Sequence, residues 1–283
     1  MKRRFEPSKT SRPASRQRPS YQNLATRCKY ISETPFAYGA FRSVCEGEYT
    51  EGRQSGEPCV LKKFIKGGVF EDRYFSEDIK AVGRSKDIIH AFNTAGFVNK
   101  TMYMNEAAVW RHLEPDANGR HECVLVEPKI EGEFVKFNSN TGYTSGADVM
   151  QALSHFSYHH TNGQEVLCDL QGGRYDTCYV LTDPVIMSRT GTYGTTDLGA
   201  HGISNFFFHH KCNQFCKAHW KKEQAPRSHF NKVAGTTMMG AGGPVGSMGT
   251  GALGGGTSSV HPGWPAQCNH LLNQFLMQPM MHK

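Results

Sequence analysis

No stretch of the 283 residues approaches 18 consecutive apolar positions, and mean hydropathy is −0.53. A helical membrane span is therefore excluded. The N-terminus, MKRRFEPSKTSRPASRQRPS, has a basic start but lacks the apolar core of a secretory leader. Secretion by that route is not expected, and a cytoplasmic location is. From Val233 to His282 there is no Asp, Glu, Lys or Arg, and residues 234–256 carry ten of the thirty glycines. Such chain loses too much entropy on ordering to fold alone. Residues 226–283 therefore read as a Gly-rich linker, densest over 231–262, and an apolar tail in which 270–277 has helical spacing. The nine cysteines are odd in number and follow no leader, so a disulfide scaffold is not indicated.

What is present is a chain of 38% hydrophobic residues, enough for a real core. Its net charge of +7 is uneven: residues 1–20 hold seven bases against Glu6 alone. The sequence pI near 8.9 thus describes an arm and not a domain. Residues 1–27 read as a basic disordered arm, either a solubilising tail or a contact for nucleic acid, an acidic protein or a membrane surface.

Between about 30 and 222 the pattern is α+β. Phe36–Tyr49 alternates around Gly39 as a hairpin, and Cys59–Phe64 reads as the next strand. Phe75, Ile79, Val82 and Ile89 suit a helix over 71–97. Glu122–Glu127 reads as a strand and Ala147–His160 as a helix. Short strands at 166–170 and 179–182 flank a Gly turn. Ile203, Phe206, Phe207 and His210 form a helical stripe.

Five pieces of this chain carry chemistry. Gly39 and Arg42 lie about twenty residues before Lys62. A glycine turn exposes N–H groups to phosphate, and a strand lysine reaches it as a point charge. Asp169, at a strand end before Gly172 and Gly173, can take a proton from a hydroxyl or hold a metal, and Gln171 offers a neutral oxygen to Mg²⁺. Asp183 precedes Pro184, which holds it extended; with Asp169 it flanks a hairpin, so both carboxylates can face one Mg²⁺–phosphate site. Asp197 is placed to cap the helix that follows. His210, Cys212 and Cys216 have zinc-ligand chemistry and lack a fourth donor. His155, His159 and His160 on the 147–160 helix are the candidates for it.

In this order, the stretches PFAYGAFR (35–42), CVLKKF (59–64), EPKIEGEFVKFNSNTG (127–142), DLQGG (169–173), LTDPVI (181–186) and TTDLGAHGISNFFFHHKCNQFC (195–216) resemble the alpha-kinases, an atypical protein kinase family. The resemblance implies a two-lobed atypical kinase fold with a structural zinc site. It implies an N-lobe over about 28–126 and a C-lobe over about 130–225, within a catalytic domain spanning 28–225. It further implies Ser/Thr protein kinase activity, Thr above Ser, with ATP, Mg²⁺ and structural Zn²⁺. Gly39, Arg42 and Lys62 would serve ATP phosphates, and Glu127 and the backbone near Lys129 the adenine. Asp169 would orient or deprotonate the substrate hydroxyl, with Gln171 and Asp183 on Mg²⁺. The loop of Gly194, Thr196, Asp197 and Gly199 would lie near the acceptor peptide. His155, His210, Cys212 and Cys216 would hold zinc. The step from Asp169 to Asp183 is fourteen residues where well-known members have about ten, which predicts a longer hairpin over 173–180. A pseudokinase scaffold and a zinc-stabilised nucleic-acid-binding protein using the basic arm are the alternative readings.

Overall fold

The computed structural model describes residues 19–39, 42–65, 72–112, 117–119, 121–233 and 237–239. The charged part of the arm and the 270–277 segment lie outside the described residues. The arm ends earlier than 27. Tyr21 stacks on Tyr103 with ring centroids 4.2 Å apart, and strand β1 already begins at Ala25 (Ala25–Tyr30).

The first sheet runs β1–β3–β4–β7–β6, with β2 (Ala37–Tyr38) also on β3 (Arg42–Gly52). β4 is Pro58–Phe64, β6 is Ala108–Arg111 and β7 is Cys123–Pro128. All its pairings are antiparallel. Side chains alternate faces along a strand. In β4, Cys59 and Leu61 join Tyr49, Val124 and Val126 in one core. Val60 and Lys62 therefore point the other way. The register sets Val60 opposite Glu127 and Lys62 opposite Leu125, so Lys62 and Glu127 are diagonal neighbours on one face.

The second sheet runs β5–β11–β10–β8 (Thr101–Met104, Cys178–Thr182, Gln171–Arg174 and Glu133–Lys136). A two-stranded sheet pairs β9 (Glu165–Cys168) with β12 (Val185–Ser188). Helices α2 (Asp148–His160) and α3 (Gly199–His209) complete this half.

The lobes do not divide at 126 as the sequence suggests. β5 leaves the first sheet's stretch of chain to pair in parallel with β11, and β6 and β7 then return to the first sheet. α1 (Asp72–Thr94) belongs to both halves. Its early turns put Phe75 and Ile79 against Cys123 and Leu125, while Ile88, Ile89 and Phe92 enter the core with Met150, Leu153 and Leu167. Asn105, buried between the sheets, joins them. Its N–H donates to the Leu181 carbonyl (2.7 Å), and its side-chain amide donates to the Pro128 carbonyl (2.9 Å).

A further difference concerns residues 226–239. They read as the start of a linker, yet the described ones lie on α3 and the loops beside it. Ser204 Oγ accepts from Arg227 N–H (2.9 Å), Asn205 Oδ1 accepts from the N–H groups of His229 and Phe230, and Thr141 Oγ1 accepts from Val233 N–H.

The β10–β11 hairpin depends on Gly172. Its φ is +146°, and a Cβ there would lie 2.0 Å from the Val180 carbonyl oxygen of the paired strand. Gly172→Ala should cost about 3 kcal/mol or more in urea unfolding, because neither the φ nor the strand spacing can relax cheaply.

Candidate active site

Two aspartates bracket the β10–β11 hairpin, and both have left-handed backbone: φ is +58° at Asp169 and +48° at Asp183, so Asp183 is not extended as its place before Pro184 suggests. Non-glycine residues seldom adopt this region, and each such residue stores about 1–3 kcal/mol of strain. The turn at each strand end aims a carboxylate into the cleft between the two large sheets.

Asp183 meets Lys62, with Oδ2 2.7 Å from the ammonium. The same ammonium lies 2.6 Å from Glu127 Oε1 and 3.3 Å from Thr182 Oγ1. Thr182 donates its hydroxyl to the Glu127 carboxylate at 2.9 Å. Burial disfavours the Lys62 ammonium, but Asp183 and Glu127 outweigh it and hold the lysine above its usual range. Burial alone would raise Asp183, but the charges of Lys62 and Arg42 reverse that and hold it ionised. Burial raises Glu127, which competes with Asp183 for one cation. Glu127, expected at the adenine, thus turns its carboxylate to Lys62. Lys129 donates its backbone N–H to the Pro58 carbonyl (3.1 Å), and its ammonium pairs with Glu46 at 2.5 Å.

Arg42 enters from β3, next to the Gly39 turn, where Gly39 N–H donates to the Arg42 carbonyl (2.7 Å). Its guanidinium lies over the Phe64 ring and is ion-paired with Asp78 of α1. Burial pushes Asp78 up to about 6 against the pull of Arg42.

Asp169 is 1% exposed. Its Oδ2 takes Lys136 Nζ at 2.7 Å and the Thr237 hydroxyl at 2.7 Å, with Gln171 Nε2 at 3.4 Å. Its Oδ1 is buried and has no hydrogen-bond partner among the described residues. Burial raises its pKa although Lys136 opposes the rise. Gln171 Oε1 accepts from Lys136 at 3.3 Å. A low-pKa carboxylate and an amide oxygen at the two ends of one hairpin are hard oxygen donors that fit Mg²⁺.

Asp197 is not the cap residue of α3; Leu198 takes the cap, and Asp197 lies one position before it. Its Oδ1 accepts from the N–H groups of Gly199 (2.9 Å) and Ser188 (2.8 Å). Its Oδ2 accepts from Ser188 Oγ (2.6 Å) and Tyr193 N–H (3.2 Å). Asp197 therefore faces inward and staples its own loop. Gly194 supplies that loop with positive φ (83°), and the Thr196 carbonyl accepts from Asn140 Nδ2 (3.1 Å).

Away from the cleft, one ligand atom each from His155, His210, Cys212 and Cys216 lie within 4.8 Å of one another. His155 Nδ1 is 3.2 Å from His210 Nε2 and 3.7 Å from Cys212 Sγ, and Cys216 Sγ is 3.8 Å from His210 Nε2. Tetrahedral zinc with ordinary bond lengths separates N from N by about 3.3 Å and N from S by about 3.6 Å. The donor set fits. Burial holds both imidazoles down to about 4, in the neutral ligating form. His155 Nε2 lies 3.0 Å from the Lys221 carbonyl, which orients the ring. His159 faces the Lys221 N–H instead, and His160 stacks on Phe156, so neither is in the cluster.

Sequence reasoning singled out Lys62, Asp169, Gln171 and Asp183, and they meet here. It missed Asp78, Lys136, Thr182, Asn140 and Thr237. Lys136 and Asn140 stand inside the FVKFNSNTG run, three and one residues from Ser139. Thr237 stands in the glycine-rich stretch that gives no signal of order.

This fold is that of an atypical protein kinase lineage. A model of the alpha-kinase family matches residues 37–216, and the chain belongs to that family. It is 30% identical over 193 residues to alpha-protein kinase vwkA of Dictyostelium discoideum, covering 66% of this chain and 30% of that protein. It is 36% identical over 188 residues to alpha-protein kinase 1 of the same organism, covering 65% of this chain and 13% of that one. The chain thus spans less than a third of these relatives' length. The alpha-kinase domain of myosin heavy chain kinase A in complex with ADP superposes with a TM-score of 0.60 at 29% identity, over 67% of this chain and 86% of that one. The same domain with AMPPCP gives 0.59 at 28% identity, over 67% and 85%. Among the described residues no helix is long and apolar enough to cross a membrane.

Asp78 generates a pH dependence. Its folded pKa, about 6, exceeds its ordinary value of 3.8, so the folded state binds more protons between these values. Stability contributed by this group falls as pH rises from about 4 to about 6 and is constant above. The stability of Asp78→Asn minus that of the wild type should therefore grow across that window and then level off in urea unfolding at stepped pH.

Proposed function

We propose that this chain is a Ser/Thr protein kinase, transferring the γ-phosphate of ATP to a protein hydroxyl, Thr above Ser. The observation that carries it is the pair of strained aspartates on one hairpin. One is buried with a raised pKa and touches a Thr hydroxyl at 2.7 Å; the other is held ionised by a buried lysine. Phosphoryl transfer asks for positioning and charge neutralisation more than covalent help, and these are the parts present.

The residues divide the work. Lys62 and Arg42 attract the phosphates, beside the open Gly39 turn. Glu127 acts through Lys62, holding its ammonium in place while the main chain around Lys129 borders the adenine. Asp169 accepts the acceptor's hydroxyl proton as the oxygen bonds to the γ-phosphorus, the bond to the β-phosphate oxygen breaks and ADP departs. Lys136 fixes the orientation of Asp169 and Gln171. Asp183 and Gln171 supply the oxygens for Mg²⁺, which when bound neutralises phosphate charge. Zinc on His155, His210, Cys212 and Cys216 is structural, since four protein ligands leave no open position.

Two experiments test this. In transfer from labelled Mg·ATP to a degenerate Ser/Thr peptide library, Asp183→Ala should lose about 10³-fold or more in turnover, with a wild-type thermal midpoint within a few degrees. Undiminished transfer would remove Asp183 from the metal site. Elemental analysis should find one zinc per chain. Cys216→Ala should lose the metal and the cooperative melt together, because structural zinc contributes on the order of 10 kcal/mol to folding. A metal-free chain that still melts cooperatively would refute the site.

A further inference from the structure

The Thr237 hydroxyl that donates to Asp169 does not arrive alone. The next residue, Met238, is held at both main-chain polar groups by one side chain. Its N–H donates to Asn140 Oδ1 (2.9 Å) and its carbonyl accepts from Asn140 Nδ2 (2.7 Å). A primary amide that pairs with both groups of one residue reads backbone and is blind to the side chain. Asn140 is 1% exposed, and its Nδ2 also holds the Thr196 carbonyl of the 194–199 loop. The clamp is therefore fixed to the loop before any peptide arrives. The Met238 side chain has its own place: it packs against the cluster that includes Leu198, Ile203 and Phe206. Hydroxyl at the base, main chain in an amide clamp and side chain on an apolar surface are how an acceptor peptide is held.

We propose that the acceptor groove selects a hydroxyl residue followed directly by an apolar one, and that the chain's own Thr237-Met238 pair sits in that groove as a tethered competitor. This rests on the reading of Asp169 as the group that meets the acceptor hydroxyl. The apolar preference follows from the hydrophobic cluster against which Met238 packs. Asn140 is the positioning residue that makes the next main-chain unit register with the hydroxyl. A tethered segment competes at an effective concentration on the order of millimolar, so a weak fit suffices to raise the apparent KM for a free peptide.

The test uses the full chain, its Met238→Ser variant and two synthetic peptides. Both peptides carry a single Thr; one has Met after it and the other Ser. The wild type should transfer phosphate to the Met peptide with about tenfold higher kcat/KM, the margin expected for one partly buried side chain. Met238→Ser should lower KM for the Met peptide about fivefold or more and leave kcat unchanged, since the tethered segment then competes less. A second readout needs no chemistry. Without nucleotide, excess Met peptide should speed amide hydrogen exchange at Met238, and the Ser peptide should do so much less. If phosphate is transferred but the two peptides are equivalent and neither speeds exchange, the proposal is wrong and the kinase reading stands. If exchange responds selectively and no phosphate is transferred, the groove is real and the kinase reading fails. An unchanged KM in Met238→Ser would remove the segment from the acceptor site.

Discussion

Everything in the cleft is arranged around one desolvated ammonium. The Lys62 side chain is 5% exposed and that of Glu127 is 4% exposed. Removing such ions from water costs several kcal/mol each, and their mutual attraction repays this only with close, well-satisfied geometry. The geometry is close: two carboxylates and a threonine hydroxyl surround one nitrogen. Two acids on one base leave the cluster with excess negative charge; Glu127 is buried, and the Asp183 edge is the half-exposed one. A cation arriving at that edge is welcomed by charge already in place. The cluster also ties together β4, β7 and the end of β11, so the electrostatics of the site and the seating of the first sheet on the second are one interaction.

The hairpin is the second constraint. Both aspartates occupy left-handed backbone that L-residues avoid, and the φ at Gly172 is one that only glycine tolerates there. Local strain persists when the surroundings over-determine it. Here β10 is held by β8 on one side and β11 on the other, and β11 by β5. The connection beyond Arg174 is short, closed by the Tyr175 N–H on the Cys178 carbonyl (3.0 Å), so the step from Asp169 to Asp183 is mostly paired strand and the strand ends place the carboxylates.

The legible parts of the molecule were those carried by local pattern. The alternation around β3 and β4, the apolar spacing of α2 and α3, and the Cys-His spacing at 210–216 each reflect a short-range rule, and each element formed close to its expected limits. The fourth member of the His/Cys cluster was ambiguous locally, because His155, His159 and His160 share a helix; only packing against α3 and Lys221 separates them. β5 and β8 were missed because a four-residue strand has almost no periodicity, and the parallel β5–β11 pairing joins residues 77 apart at its first pair. Lys136 had no local mark, since a strand lysine is ordinarily solvated; it became part of the site when β8 paired with β10 and set Lys136 opposite Gln171. Asp197 was marked as a cap, but the cap position falls to Leu198; Asp197 sits one residue earlier, and its four hydrogen bonds close the loop.

The same distinction explains why the run after α3 was misread. Composition says that the glycine-rich chain from about 231 onward cannot stabilise itself in isolation. What it omits is tethering. The His/Cys cluster fixes 210–216, Trp220 enters the core beside Phe97 and Phe156, and Glu223 meets Arg189 and Tyr158. Arg227, His229, Phe230 and Val233 then dock one after another on α3 and the Asn138–Thr144 turn. By Val233 the entropy of bringing the chain to the cleft has largely been lost at earlier contacts, so the few bonds of Thr237 and Met238 need only order the last residues. Order in this segment is therefore inherited from the His/Cys cluster and the contacts after it rather than encoded in the segment. That dependence runs from a partly exposed cysteine–histidine cluster on one side of the C-terminal half to the carboxylate at the centre of the cleft.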